Sequence, residues 1–186
     1  MYKSATVSRY TKSWLPLTFR IALLVIFAAL GVVLRQLAIP TWTLYVTLTP
    51  GFTMPLLTGM VLGPVEGIVC GLMVGISGAF APIPEPVLIP IIGNIALGLS
   101  TGLPALIRER IPRPLFIAIC LVSASLIGGF LPTFGVETLV FLEHPFGAAI
   151  IASLDAVQAT IWVVVALFLD MGVIQPIIRR VFEPLP

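Results

Sequence analysis

Three polar side chains lie on one face of the last long apolar segment of the chain. Asp155, Gln158 and Trp162 follow one another at i, i+3 and i+7, spacings that place residues on the same side of an α-helix. If the segment crosses a membrane, Asp155 lies about 10 Å below its boundary, where an ionisable group indicates a functional site by default. Two interpretations remain open: the three side chains form one wall of a ligand site, or Asp155 makes a structural hydrogen bond to a neighbouring helix, for example to Arg35.

Asn94, Glu85 and Arg35 are further candidates for ligand contact. Asn94 lies inside another apolar segment, where a buried amide either bridges two helices or binds a ligand. Glu85 stands between Pro84 and Pro86, which restrict the backbone around it, and it is either a binding residue or a solvated charge. Arg35 can extend its charge to the membrane surface, pair with an acid or meet an anionic ligand.

The other reactive residues do not predict catalysis. His144 is the only histidine and has no Ser/His/Asp set around it. The sequence contains neither a Cys/His cluster for a metal nor a Walker A motif for nucleotide hydrolysis. Cys70 and Cys120 stand in apolar runs, where thiols usually pack as small hydrophobic groups. We expect no enzyme activity, no metal and no cofactor, and a membrane enzyme remains an alternative class.

The elements that must position these residues follow from the composition. The chain has 186 residues, of which 59% are hydrophobic and 10% are charged, and its mean hydropathy is +1.14. Soluble domains carry about 25% charged residues, so 10 basic and 8 acidic residues cannot coat a soluble globule of this size. The absence of a basic stripe also argues against nucleic-acid binding. We expect an all-α integral membrane protein with a single domain.

Apolar runs of about 20 residues predict membrane-spanning helices, and six such runs divide the chain. The second and third are short and interrupted by Gly and Pro, so we expect them in the interior, where neighbouring protein covers their backbone. The segment 63–67 between them reads as a tight turn. Small residues in the third run would let helices approach closely; they are Gly71, Gly75, Ser77, Gly78 and Ala79. The predicted spans are about 17–38, 48–62, 68–81, 87–107, 114–131 and 148–169.

Lysine and arginine predict the orientation of the bundle. One basic cluster precedes the first span, one lies between the fourth and fifth, and one follows the sixth. With the N-terminus inside, nine of the ten basic residues face the cytoplasm and only Arg35 lies near the outside, in agreement with the positive-inside rule. We therefore expect a multi-pass protein of the cell membrane with both termini in the cytoplasm. The outer loops would be residues 39–49, 82–86 and 132–146.

These outer loops could form a cup for a small molecule. Trp42 and Tyr45 fit an aromatic belt at the membrane surface and equally a lid that stacks on a ring. Against Arg35 the outer side holds four acids, a balance that attracts cations and repels dianions; they are Glu85, Glu137, Glu143 and Asp155. Because a cationic ring over an indole gains about 0.5–2 kcal/mol, we expect a ring-bearing, neutral or cationic ligand, thiamine-like before folate-like. If the loop acids are only solvated charges, Arg35 would select an anion instead.

Two stretches resemble a known family. "LLTGMVLGPVEGIVCGLMVGISGAF" (Leu56 to Phe80) is similar to the second and third spans of the substrate-binding (S) components of energy-coupling-factor (ECF) vitamin transporters, with their Gly-Pro-x-x-Gly turn. "IIGNIALGLSTGLPALI" (Ile91 to Ile107) resembles the fourth span. The alanine-rich motif of the first span is matched only in part, by Ala22, Ala28, Ala29 and Gly31.

The resemblance implies a fold of six helices and a transport role. Such a subunit binds a vitamin-like compound from outside with high affinity and docks on a transmembrane coupling subunit, which works with two ATPase subunits. ATP would then be used by the partners and not by this chain. The alternative is a small self-contained secondary carrier or channel, for which internal repeats and acids near the midplane would be expected. No repeat relates residues 1–93 to 94–186, and Asp155 is the only clear intramembrane acid in the sequence.

Overall fold

The computed structural model describes residues 16–37, 39–40, 47–80 and 88–182, which form a helical bundle. Within this part of the chain the one strand pairing is a short antiparallel bridge between β1 (Ile39–Pro40) and β2 (Thr47–Leu48), directly after the first helix. The α-helices are α1 (Leu17–Arg35), α2 (Thr53–Leu62), α3 (Pro64–Ser77), α4 (Leu88–Ala105), α5 (Arg113–Ser123), α6 (Leu131–Leu139), α7 (Pro145–Leu169) and α8 (Gln175–Phe182).

Two π-helical segments join shorter helices into long ones. Ala124–Phe130 connects α5 to α6, so that one helix runs from α5 to the end of α6. Asp170–Ile174 connects α7 to α8 in the same way. A π-helical turn inserts an extra residue into the helix and is frequently found at functional sites. Short 3₁₀ turns, Pro50–Phe52 and Arg108–Arg110, precede α2 and follow α4.

Four helices in the described residues are long and apolar enough to cross a membrane. They are Leu17–Arg35, Leu88–Arg110, Arg113–Leu139 and Pro145–Ile178. Large apolar side chains remain exposed on all four, as a lipid solvent allows. The length and composition of these helices indicate a membrane-embedded protein. Pro50–Leu62 and Pro64–Ser77 are also apolar, but each is only about 20 Å long, shorter than the 30 Å hydrocarbon core.

The two short helices differ in their burial. All residues of α2 except Val61 are buried, which agrees with the interior position expected for it. In α3 one face is buried and the other exposes Val69, Leu72 and Ile76. The expectation that both short helices are interior therefore holds for α2 and for only half of the surface of α3. The reason lies in the sequence of α3, which places glycines on one face and large apolar residues on the other.

Glycines bring α3 against α4. A Cβ atom at Gly67 would lie 2.5 Å from the Gly98 carbonyl oxygen, and one at Gly71 would lie 2.2 Å from the Asn94 carbonyl oxygen. At Gly75 the nearest atom would be the Ile91 Cα, at 2.6 Å. No side chain fits in such spaces, so the two backbones touch. These glycines serve helix packing, as small residues do in membrane bundles.

Contacts at the two ends of the bundle define the directions of the helices. Arg35, at the end of α1, lies beside Gly78, just after the end of α3. At the opposite end, Arg20 in the first turn of α1 pairs with Glu66 in the first turn of α3. The helices α1 and α3 therefore run in the same direction, and α2, which the turn at Gly63 joins to α3, runs in the opposite direction. The helix α4 also runs opposite to α3, because Gly102 near its end lies beside Pro64. We call the two ends of the bundle the Arg35 end and the Arg108 end.

The helix bounds differ from the predicted spans at the connections. The turn between α2 and α3 is Gly63 alone, with φ of 103°, since α3 begins at Pro64; a proline is well suited to the first position of a helix. Residues 132–139, expected in an outer loop, continue the helix, and the connection is only 140–144. The last helix passes residue 169 through its π-helical segment. Apolar periodicity does not reveal where polar residues extend a helix beyond the membrane.

Candidate functional site

Arg35 is buried at the end of α1, with 1% of its surface exposed. Its guanidinium carbon lies 5.0 Å from the centroid of the Phe52 ring, which is a cation–π contact. A Cβ atom at Gly78 would lie 3.2 Å from the Arg35 Nη2, so the side chain reaches across to the end of α3. This burial excludes extension of the charge to the membrane surface.

Gln158 anchors the segment that leads into α2. Its Oε1 accepts a hydrogen bond of 2.7 Å from the backbone N–H of Thr49, and both residues are buried. Thr49 immediately precedes the 3₁₀ turn Pro50–Phe52, whose Phe52 ring lies against Arg35. The structure therefore brings Gln158 and Arg35, two of the residues selected from the sequence, to one short segment, Thr49–Phe52.

Asp155 is half-buried and hydrogen-bonded to α6. Its Oδ2 accepts a hydrogen bond of 2.5 Å from Thr133 Oγ1. The two helices approach closely here, since a Cβ atom at Gly129 would lie 2.7 Å from the Ala156 Cα. This contact supports the interpretation of Asp155 as a structural link to a neighbouring helix, with Thr133 as a donor.

Asn94 and Trp162 each hold a polar atom that the described residues do not satisfy. The Nδ2 of Asn94 donates a 2.7 Å hydrogen bond to the Pro90 carbonyl oxygen, whereas its Oδ1 is buried with no hydrogen-bond partner in the described part of the chain. Trp162 packs against the hydrophobic core, and its Nε1 is also buried without a partner there. Such atoms are uncommon in folded proteins. An acceptor on α4 and a donor on α7 therefore remain unsatisfied among the described residues.

The remaining candidates belong to the predicted outer loops. Glu85, Trp42 and Tyr45 lie outside the described residues. Glu143 lies in the 140–144 connection and is exposed, which suits a solvated charge. His144 caps α7, with its Nδ1 accepting a 3.3 Å hydrogen bond from the Phe146 N–H. This is a structural role, one for which an Ncap residue is well placed.

A buried ion pair at the Arg108 end was not predicted from the sequence. Asp170 is fully buried, and its Oδ2 lies 2.7 Å from an Arg108 Nη atom. Gln175 donates a 3.1 Å hydrogen bond to the Asp170 Oδ1, and the Arg108 guanidinium lies 4.7 Å from the Phe116 ring centroid. Asp155 is therefore not the only acid that the bundle buries. The sequence does place Asp170 directly after an apolar run and Arg108 in the basic cluster between the fourth and fifth predicted spans.

A second ion pair at this end joins Arg20 to Glu66. Both side chains are largely buried. An acid in a predicted turn such as 63–67 would instead be expected to face solvent. The pair lies in the first turns of α1 and α3, and Glu66 also faces the N-terminal end of its own helix, where negative charge is favoured. Together the two ion pairs tie the helix ends at the Arg108 end.

The described bundle holds polar and charged side chains towards both of its ends, within a largely apolar interior. Towards the Arg35 end, Arg35 and Gln158 contact the Thr49–Phe52 segment, and Asn94 lies on α4 one turn after Pro90, whose ring is beside Gly78. We call these three residues the polar layer; Trp162 lies one helical turn after Gln158 on α7. In the described part of the chain, no group of three His, Cys, Asp or Glu side chains is placed to hold a metal ion. No protein-family model, no curated protein and no solved structure matches this sequence.

Proposed function

We propose that this chain is the substrate-binding subunit of an ATP-driven uptake system of the ECF type, with six membrane-spanning helices and both termini in the cytoplasm. It binds a small ring-bearing, vitamin-like compound from outside and passes it on while docked to a transmembrane coupling subunit with two ATPases. The observation that carries the proposal is the polar layer at the Arg35 end, in which Asn94 Oδ1 lacks a donor among the described residues. A polar atom without a hydrogen-bond partner is costly inside a membrane bundle, so its presence is a reason to propose a functional site there.

The alternation of helix directions supports this arrangement. The four long helices and the two short ones run in alternating directions, and Arg35 lies at the end opposite the ion pairs of Arg20 and Arg108. With the basic clusters on the cytoplasmic side, the Arg35 end of the bundle would face outward. A site there could capture a molecule from the medium.

A binding titration tests the site. The purified protein in detergent is titrated with thiamine and, separately, with folate. A cationic ring is expected to bind through Asp155 and Trp162, and Asp155→Asn should weaken thiamine binding at least tenfold, since hydrogen bonds to charged groups contribute about 1.5–3 kcal/mol. Trp162→Phe keeps a ring but removes the Nε1 donor, so it separates stacking from hydrogen bonding.

Ser153→Ala is a matched control on the same helix. Ser153 is exposed and bonds only within α7, to the Ala149 carbonyl oxygen, so its loss should leave binding unchanged. If Asp155→Asn and Trp162→Phe fold and bind thiamine as tightly as the parent, the site is elsewhere. Preferential binding of folate would place Arg35 in the role of an anion-binding residue.

Dependence on a partner tests the transport role. Co-expression with a coupling subunit and two ATPases should give a complex that co-purifies and accumulates the compound only with ATP. The second candidate is a self-contained secondary carrier, which is favoured by one observation, the buried Asp170 paired with Arg108. Carriers use such acids to move coupling ions. Accumulation in liposomes that contain this chain alone, abolished by Asp170→Asn, would support the carrier and overturn the ECF proposal.

A further inference from the structure

A groove lies on the lateral surface of the bundle, at the Arg108 end. Its volume is about 300 Å³, and it is lined by Arg113, Leu167, Phe168, Met171 and Gly172. We call it the 113–172 groove. Arg113 is the first residue of α5, and the other four residues lie on α7 and the π-helical segment that follows it.

The groove exists because of local backbone features on α7. The π-helical segment Asp170–Ile174 widens the helix beside Arg113, the first residue of α5, because a π-helical turn holds an extra residue. Gly172 adds no side chain, and a Cβ atom placed there would meet no atom within 4 Å. The Arg113 Nε donates a hydrogen bond of 3.3 Å to the Met171 sulfur, which holds the guanidinium at the rim.

The depth of the groove matches the headgroup region of a bilayer. Its residues on α7 follow the helix start at Pro145 by 22 to 27 positions, which is about 33–40 Å at 1.5 Å per residue. The hydrocarbon core is about 30 Å thick. With Pro145 at one membrane surface, the apolar wall begins near the opposite edge of the core, and Arg113 lies among the headgroups.

The walls and the charge identify the occupant. Phe168 is 74% exposed beside the groove, on a surface that faces lipid. Arg113 supplies a cation at the rim, and the neighbouring Asp170 is already paired with Arg108. We propose that the 113–172 groove binds an anionic phospholipid, with its phosphate on the Arg113 guanidinium and the first part of an acyl chain against Leu167 and Phe168.

Titration of delipidated protein with defined lipids tests the groove. The full chain in detergent is titrated with dioleoyl phosphatidylglycerol and with dioleoyl phosphatidylcholine, and bound lipid is counted by native mass spectrometry. The parent should prefer the anionic lipid. Arg113→Gln should weaken that lipid about fivefold, the effect of one basic residue near an anionic surface, and Arg113→Lys should retain most of the preference. Arg110→Gln is the matched control, because it removes an equal charge from the same end without lining the groove.

Two further arms separate a lipid site from simpler explanations. Gly172→Leu fills the groove and should weaken both lipids, although Arg113 is retained. Glycerol 3-phosphate has the charge but no acyl chain and should not bind measurably at concentrations at which the lipid saturates the protein. Equal losses from Arg113→Gln and Arg110→Gln would overturn the proposal, because they would indicate a diffuse surface charge. Unchanged lipid binding by Gly172→Leu, or saturation by glycerol 3-phosphate, would also overturn it.

Discussion

The backbone N–H of Thr49 and the side chain of Gln158 form a 2.7 Å hydrogen bond between residues 109 positions apart in the chain. The bond joins the segment that enters α2 to the middle of α7. Both groups are buried away from water, so each depends on the other for a hydrogen-bond partner. The position of the Phe52 ring against Arg35 depends on this anchor, because only the 3₁₀ turn separates them.

Loss of this anchor should destabilise the fold. Gln158→Leu keeps the side-chain volume but removes the Oε1 acceptor of the buried Thr49 N–H, and loss of such a hydrogen bond costs about 1–3 kcal/mol. Thermal unfolding of the purified protein in detergent should show a lower midpoint than that of the parent. Ser153→Ala, on the exposed side of the same helix, should unfold with the parent. A midpoint unchanged by Gln158→Leu would mean that another group replaces the amide.

The backbone contact between α3 and α4 should not tolerate even a methyl group. Gly71→Ala would place its Cβ 2.2 Å from the Asn94 carbonyl oxygen, so the helices must separate, at a cost of about 1–3 kcal/mol. Gly93→Ala lies in α4 itself, where an added Cβ meets nothing within 4 Å. It should be neutral or slightly stabilising, because alanine favours a helix over glycine. Equal unfolding midpoints for the two variants would contradict the close packing.

Removing one partner of the Asp170–Arg108 ion pair should lower the free energy of unfolding more than replacing both partners with apolar residues. Asp170→Ala leaves the Arg108 charge partly buried without its partner, and breaking a buried pair in this way costs about 3–5 kcal/mol. The double variant Arg108→Met with Asp170→Leu removes both charges and should recover most of that loss. Unfolding midpoints of Arg108→Met, Asp170→Leu, the double variant and the parent measure the coupling. Additive losses would show that the two side chains act independently.

Cysteine labelling tests the proposed six-span topology. Glu109 lies in the 3₁₀ turn after α4 and Glu137 in α6, at opposite ends of the bundle. Cys70 and Cys120 are buried and unpaired, so they can be replaced by alanine to give a background without thiols. Glu109→Cys should then react with an impermeant reagent only from the cytoplasmic side, and Glu137→Cys only from outside. Reaction of both from the same side would refute this topology.

The sequence predicted the membrane class and much of the helix order, because composition and apolar runs report directly on the solvent of a protein. It also selected Arg35 and Gln158, which the fold brings to one turn. It did not predict the Asp170–Arg108 pair, because the π-helical segment that carries Asp170 inward leaves no periodic signal. The partner of Asp155 was equally hidden, since Thr133 lay in a predicted loop and became part of a helix only when α6 was seen to continue α5.

The burial of α2 has a consequence for how the chain assembles during synthesis. A helix with an exposed apolar face can wait in lipid, but α2 has almost no such face, and its entry segment is completed by a residue 109 positions later. The ribosome therefore releases α3 to α6 before the last neighbour of α2 exists. Until α7 arrives, the interior of the bundle is open on one side, so a chain truncated before Pro145 should be a substrate for membrane quality-control proteases while the full chain is not.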